Sequence, residues 1–160
     1  MFSITLITVG KLKEKFYLAA SEEYVKRLGA YCKFTLIELP EQRLPDDPSP
    51  AEIAAGLSRE AEQIKAKLPK NAWFCVLTPE GTLLSSEKFA NKLREVKLSG
   101  KGAACFLIGS SFGIDPRIKK MADFRLSFGA MTFPHHLMRV MALEQIYRAE
   151  TIQAGTKYHK

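Results

Sequence analysis

Short apolar segments alternate with amphipathic segments along the chain, and this alternation constrains the fold more than any other feature. Two apolar segments, Ala72–Leu77 and Ala103–Ile108, are almost uninterrupted, which is typical of strands covered on both faces of a sheet. The amphipathic segments show the apolar spacing of helices. This regular alternation predicts an α/β fold with a parallel sheet, in a single domain spanning residues 1–160.

The apolar spacing and the capping residues predict ten elements. The strands are expected at Ser3–Val9, Lys33–Leu39, Ala72–Thr78, Ala103–Ile108 and Asp123–Phe128. A turn is expected over Pro79–Ser85. The helices are expected at Lys15–Leu28, after a capping box at Ser49, after a cap at Ser86, after Asp115, and near Pro134 with Thr132 as its cap.

Composition narrows the class of protein. With 46% hydrophobic and 26% charged residues, the chain resembles an ordinary soluble globular protein. No apolar run approaches the roughly 18 residues of a membrane-spanning helix, and the apolar start indicates a strand, not a signal peptide. Cys32, Cys75 and Cys105 lie far apart in apolar segments. They predict buried free thiols in a reducing cytoplasm, and no metal-binding spacing is found.

Positive charge is concentrated toward the end of the chain. The net charge is +7, and residues 116–160 hold eight Lys and Arg against three Asp and Glu. Such an excess predicts an anionic partner, with nucleic acid as the first candidate. A solvated basic surface that only aids solubility is an equally good interpretation of the charge alone.

The loop Gly109–Gly113, with the sequence GSSFG, follows a predicted strand at the edge where parallel sheets bind ligands. Glycine there would let the backbone approach a nucleotide or S-adenosylmethionine closely. The loop also matches the nucleophile elbow of serine hydrolases, with Ser111 as nucleophile and Asp115 or Asp123 acting with a later histidine. A plain strand-to-helix turn is the third interpretation, and the loop alone leaves all three open.

The last predicted helix begins with His135 and His136 and contains Arg139 in an apolar run. Adjacent histidines make a poor metal pair, and either is a candidate general base or a packing residue. A buried arginine must be paired or face an anion. Its partner in the chain would be Glu144 or an acid on a neighbouring element. Because this helix is apolar on most sides, we expect it to form a dimer interface.

The tail Gly155–Lys160 places Tyr158 and His159 beside two lysines. Aromatic and basic residues together suit base stacking and phosphate contact. A frayed terminus would have the same composition.

Four segments together resemble a known family: ITVGKLKEKF, FLIGSSFG, LSFGAMTFPHHLMRVMALEQIYRA and the terminal YHK. In order and over the whole length they are similar to the bacterial ribosomal RNA large subunit methyltransferase H family of the SPOUT superfamily. The resemblance implies an S-adenosylmethionine-dependent enzyme that methylates N3 of a pseudouridine in 23S rRNA within the ribosome. It also implies a homodimer and a trefoil-knotted parallel α/β fold, with the knot at about residues 103–155, and neither metal nor membrane.

By position, the resemblance places the cofactor at the ends of the predicted strands. The implied cofactor contacts are Leu77, Gly109, Leu126, Ser127, Phe128, Gly129, Ala130 and Met131. The candidate catalytic residues are His135 as base, Arg139 for orientation or charge stabilisation, Tyr158 and His159, with Lys160 as a phosphate contact.

The chain departs from the family that it resembles at Ser110, because that family usually has two consecutive glycines where this chain has Gly109 and Ser110. A serine there would alter cofactor affinity if its φ were positive, because non-glycine residues are uncommon in that region. The departure leaves open a ribosome-binding factor without catalytic activity.

Overall fold

A computed structural model describes the whole chain, residues 1–160. Five parallel strands form one sheet in the order β2-β1-β4-β3-β5. The strands are β1 (Ser3–Val9), β2 (Lys33–Leu39), β3 (Ala72–Leu83), β4 (Ala103–Ile108) and β5 (Phe124–Ser127). The predicted parallel α/β architecture is confirmed.

Five helices cover the two faces of the sheet. They are α1 (Lys15–Leu28), α2 (Pro50–Lys67), α3 (Ser86–Leu98), α4 (Pro116–Met121) and α5 (His135–Gln153). Helix α5 packs between α1 and α3, and these helices share the larger hydrophobic core with one face of the sheet. Residues of α2 and α4 form a second core on the other face. None of the helices is both long and apolar enough to cross a membrane.

Strand β4 shows why the central strands are apolar at every position. It pairs with β1 on one side and β3 on the other. Phe106 packs into the larger core, whereas Cys105 and Leu107 pack into the second core. Burial raises the pKa of the Cys105 thiol to about 12. All three cysteines are free and buried, as predicted.

Helix α3 begins with a different cap from the one predicted. The Oγ of Ser85 accepts a hydrogen bond from the N–H of Lys88 at 3.2 Å. The hydroxyl of Ser86 instead donates to Gln145 of α5 at 2.8 Å. Both serines have the chemistry of a cap, and the tertiary contact to α5 engages the second of them.

Strand β3 continues through most of the turn that was predicted after it. Leu77 and Thr82 both pair with Leu126 of β5, so the four residues between them bulge out of the ladder. Within this bulge, a Cβ on Gly81 would lie 2.8 Å from the backbone of Arg125. The close approach of β5 therefore requires glycine at this position.

Candidate active site

A cavity of about 520 Å³ opens at the carboxyl ends of β3, β4 and β5. Its wall is formed by the end of β3 with its bulge, the loop Gly109–Gly113, the segment after β5 and the first turn of α5. Parallel sheets bind ligands at this edge, and small-molecule sites have volumes of roughly 300–1,000 Å³. The cavity therefore has the place and the size of a small-molecule site.

The cavity gathers five of the eight residues predicted to contact the cofactor. These are Leu77, Gly109, Phe128, Gly129 and Met131. Leu126 and Ser127 instead line a second cavity, to which Phe128 also contributes. Ala130 lines neither of these two cavities.

Gly109 has no room for a side chain. A Cβ on this residue would overlap the carbonyl oxygen of Gly113 and lie 2.5 Å from the side chain of Ile114. The loop is closed by a hydrogen bond from the N–H of Gly113 to the carbonyl of Ser110 at 2.9 Å. Glycine at position 109 thus permits the tight fold of the loop that borders the cavity.

Ser110 is accommodated without backbone strain, because Asn71 is the only non-glycine residue with a positive φ. Its buried hydroxyl donates to Glu60 of α2 at 2.9 Å. The other carboxylate oxygen of Glu60 accepts from the N–H of Gln42 at 3.0 Å. Burial raises the pKa of Glu60. Ser110 therefore ties the loop to α2.

The structure does not assemble the predicted hydrolase relay around Ser111. The Ser111 hydroxyl donates to Glu41 at 2.6 Å. Asp115 accepts hydrogen bonds from Arg117, and Asp123 accepts from a backbone N–H of β3. None of these three residues forms a hydrogen bond with a histidine, so a serine–histidine–acid relay is missing from this loop.

His135 borders the cavity at the start of α5. Pro134, not Thr132, occupies the N-cap position, and no side chain caps the helix. The Nε2 of His135 is buried without a hydrogen-bond partner. Burial, followed by the charge of His136, lowers the pKa of His135. The imidazole is therefore neutral near pH 7 and able to accept a proton.

Arg139 lies one turn further along α5 and is not part of the cavity wall. Its buried guanidinium donates to Glu38 of β2 at 2.7 Å and to the carbonyl of Gly10 at 2.8 Å. Its partner is thus an acid on a neighbouring element, whereas Glu144 pairs with Arg148. In this geometry Arg139 fixes α5 to the ends of β1 and β2.

Tyr158 and His159 pack on the helices of their own chain, outside the cavity wall. The Tyr158 hydroxyl donates to Glu144 of α5 at 3.1 Å. The Nε2 of His159 lies 2.8 Å from Glu87 at the start of α3. Of the four predicted catalytic residues, one chain places only His135 at the cavity.

Two charged residues of the cavity wall were not predicted. The ammonium group of Lys119 in α4 lies 2.6 Å from the carboxylate of Glu80 in the β3 bulge. Hydrogen bonding to Lys119 lowers the pKa of Glu80 to about 2. The sequence carries no local signal for this pair, because Glu80 and Lys119 lie 39 positions apart in the chain.

A second cavity of about 430 Å³ lies beside the first. Val140 and Met141 of α5 line it, together with Tyr24 and Phe89. The side of α5 that faces this cavity is only partly covered by the chain itself, since Val140 and Met141 are half-buried.

Comparisons with known proteins agree with this geometry. The model of a family described as "Predicted SPOUT methyltransferase" matches residues 2–159. The ribosomal RNA large subunit methyltransferase H of Streptococcus thermophilus (strain CNRZ 1066) is 46% identical over 157 residues, which are 98% of this chain and 99% of that protein. The protein of the same name from Moorella thermoacetica is 42% identical over 160 residues and the full length of both chains.

The fold also resembles that of solved structures. The tRNA (m1G37) methyltransferase from Aquifex aeolicus superposes with a TM-score of 0.56 at 16% identity, over 98% of this chain and 73% of that one. At this identity the likeness concerns the fold alone. The matched family and the full-length relatives decide the assignment: the chain belongs to the SPOUT methyltransferases, in the family of the proteins named ribosomal RNA large subunit methyltransferase H.

Proposed function

We propose that this protein transfers the methyl group of S-adenosylmethionine to N3 of a pseudouridine in 23S rRNA, on assembled ribosomes in the cytoplasm. The observation that carries the proposal is the cavity at three strand ends, where five implied cofactor contacts meet His135. The names of the relatives support ribosomal RNA as the substrate class. The choice of pseudouridine N3 rests on the family resemblance.

The residues of the cavity fit S-adenosylmethionine. Leu77, Phe128 and Met138 offer apolar surface for the adenine ring, and backbone groups of the loops in the cavity wall can bind polar edges of the cofactor. When bound, the cofactor supplies a methyl group already activated by its sulfonium sulfur. The protein then has to position the acceptor and manage its proton.

His135 is the candidate for that proton. N3 of a pseudouridine is a weakly acidic imide nitrogen, which must lose its proton to accept a methyl group. The lowered pKa keeps the His135 ring neutral, and the residue borders the cavity, so it is the candidate general base. Arg139 contributes by orientation, because it holds Gly10 and α5 together beside His135.

Tyr158 and His159 act from a second subunit in this proposal, because they pack outside the cavity of their own chain. The half-buried apolar side of α5, with Val140 and Met141, supports a homodimer interface. Lys160 would then contact a phosphate near the partner's cofactor site.

The test is incubation of the protein with isotope-labelled S-adenosylmethionine and ribosomes that lack the modification, followed by mass spectrometry of the 23S rRNA nucleosides. The expected product is labelled N3-methylpseudouridine. If the folded protein bound ribosomes but formed no labelled product, the result would contradict the proposal and support a ribosome-binding factor without catalytic activity. Ser111→Ala is the control variant for the hydrolase alternative. It should still form labelled N3-methylpseudouridine, because the Ser111 hydroxyl bonds only to Glu41 and the transfer needs no serine nucleophile.

A further inference from the structure

A basic and aromatic surface lies beside the cavity, where β1 leads into α1. It consists of Lys11 and Lys13 in the connecting loop and of Lys15 and Phe16 at the start of α1; we call it the α1 entry surface. All three lysines are exposed, and the phenylalanine is 67% exposed. None of the three lysines forms a salt bridge.

The nearest acid in sequence does not neutralise these lysines. The carboxylate of Glu14 lies 3.5 Å from the Nδ1 of His136, in α5. Tyr17 packs beside the same histidine, with 6.3 Å between ring centroids, and the ring of Phe16 lies 4.4 Å from that of Tyr17. The surface therefore combines unpaired cations with an exposed aromatic ring that is supported from behind.

The surface is fixed close to the proposed base. It follows β1, which neighbours β4 in the sheet, so it lies at the same edge as the cavity. Gly10, the residue before Lys11, abuts His135: a Cβ on Gly10 would lie 3.4 Å from the Nε2 of that ring. The carbonyl of Gly10 is held by Arg139 at 2.8 Å. The segment that carries the three lysines therefore begins at Gly10, a residue in contact with His135.

We propose that the α1 entry surface is an RNA-binding surface of this site. Its three lysines contact phosphates, and Phe16 stacks on an unpaired base near the target nucleotide. Single-stranded RNA is recognised by this combination, because phosphates attract cations and every base offers a face for stacking. The inference rests on the proposed function and deepens it by naming the surface that receives the RNA.

Two variants and a matched control test this inference. The triple variant Lys11→Ala, Lys13→Ala, Lys15→Ala and the single variant Phe16→Ala change exposed side chains. The control, Lys26→Ala, Lys67→Ala, Lys70→Ala, removes the same charge from exposed lysines outside the α1 entry surface, at or after the ends of α1 and α2. Binding to unmodified ribosomes is measured at several salt concentrations. For each protein, calorimetric titration measures the affinity for S-adenosylmethionine, and thermal melting measures whether the variant is folded.

The triple variant should bind ribosomes at least about tenfold more weakly. The slope of log K against log salt concentration should become shallower by roughly 2 to 3, because each lysine removed takes away one phosphate contact. Phe16→Ala should weaken binding by roughly 5- to 150-fold with an unchanged salt slope, since stacking is worth about 1–3 kcal/mol per base. Both variants should bind S-adenosylmethionine like the wild type. The control should keep the wild-type slope.

Equal losses and equal slopes in the triple variant and the control would overturn the inference and leave the proposed function standing. Wild-type affinity of Phe16→Ala would overturn the stacking role. A wild-type protein that fails to methylate ribosomes would overturn the proposed function, and the inference with it. A photo-crosslinker placed at position 16 identifies the partner: a crosslink to rRNA supports the inference, whereas a crosslink only to ribosomal protein overturns it.

Discussion

At the scale of single residues, Gly109 and Ser110 follow β4 side by side and meet opposite constraints. Gly109 has no space for a Cβ, whereas the Ser110 side chain has a buried partner in Glu60. The serine hydroxyl is hydrogen-bonded and its φ is not positive. For these reasons a serine at position 110 fits the loop without strain, and we expect cofactor binding to be retained.

Gly109→Ala tests the steric claim. The new Cβ would push both Gly113 and Ile114 away from residue 109, so we expect the free energy of unfolding to fall by about 1–3 kcal/mol. The affinity for S-adenosylmethionine should fall at least about tenfold, because the cavity wall moves with the loop. Denaturant titration and calorimetry measure the two effects. Gly102→Ala is the control, since a Cβ there meets no atom within 4 Å; equal behaviour of the two variants would contradict the claim.

The protonation of His135 gives a pH dependence. Burial, and then His136, lower its pKa in the folded protein, so the unfolded chain takes up the proton more readily. The neutral ring therefore contributes stability fully above the ordinary histidine pKa, and this contribution is lost as the pH falls through the lowered folded pKa. The rate of methyl transfer should depend on pH in the same direction. It should be constant near neutral pH and fall as His135 becomes protonated in acid.

Proton NMR of the imidazole rings measures the midpoint for His135 directly. The expected midpoint lies below the ordinary value of about 6.5. Replacing the neighbour, in His136→Gln, should raise it, because one repelling charge is removed. A midpoint at or above the ordinary value in the wild type would contradict the buried placement of the ring.

At the scale of elements, features set by local sequence patterns could be predicted, whereas features set by contacts between distant residues could not. The positions of β1, β2, β4 and all five helices follow from apolar spacing or capping residues that lie within or next to each segment. The bulge in β3 depends on Gly81 meeting Arg125, and the cap of α3 depends on Ser86 being engaged by Gln145. Likewise, the partner of Arg139 lies 101 residues away. Such tertiary contacts leave no periodic signal in the sequence.

The cap of α3 is testable with adjacent serines. Ser85→Ala removes the acceptor for the N–H of Lys88, so the free energy of unfolding should fall by about 1 kcal/mol. Ser86→Ala should leave the helix start capped and remove only the bond to Gln145. Helix-start hydrogen exchange distinguishes the two variants. If hydrogen exchange at the N–H of Lys88 were faster in Ser86→Ala and unchanged in Ser85→Ala, Ser86 would be the cap and this assignment would be wrong.

At the scale of the whole molecule, a single chain forms the cavity proposed for the cofactor but does not bring the tail to it. The family resemblance supplied the predicted cofactor contacts, and five of them meet in one cavity because they follow strand ends, which a parallel sheet collects at one edge. Tyr158 is held by contacts to α5 and His159 by contacts to α5 and α3, so no strand end determines their position. The proposed homodimer would bring the tail of one subunit to the cavity of its partner.

Mixing two defective variants tests this arrangement. One lacks Tyr158–Lys160, and the other carries Gly109→Ala; each should be nearly inactive alone at low S-adenosylmethionine. After exchange of subunits, about half of the dimers are mixed and each has one intact site, so the mixture should recover roughly a quarter of wild-type activity. No recovery, with mixed dimers demonstrated by mass spectrometry, would show that the tail does not act across the dimer.

A crystal structure of the protein with S-adenosylmethionine tests the central claim most directly, namely that the cavity at the ends of β3, β4 and β5 is the cofactor site. The account predicts cofactor density enclosed by Leu77, Gly109 and Phe128, in the cavity that His135 borders. Cofactor bound elsewhere on the chain, or an empty cavity at saturating cofactor, would contradict it.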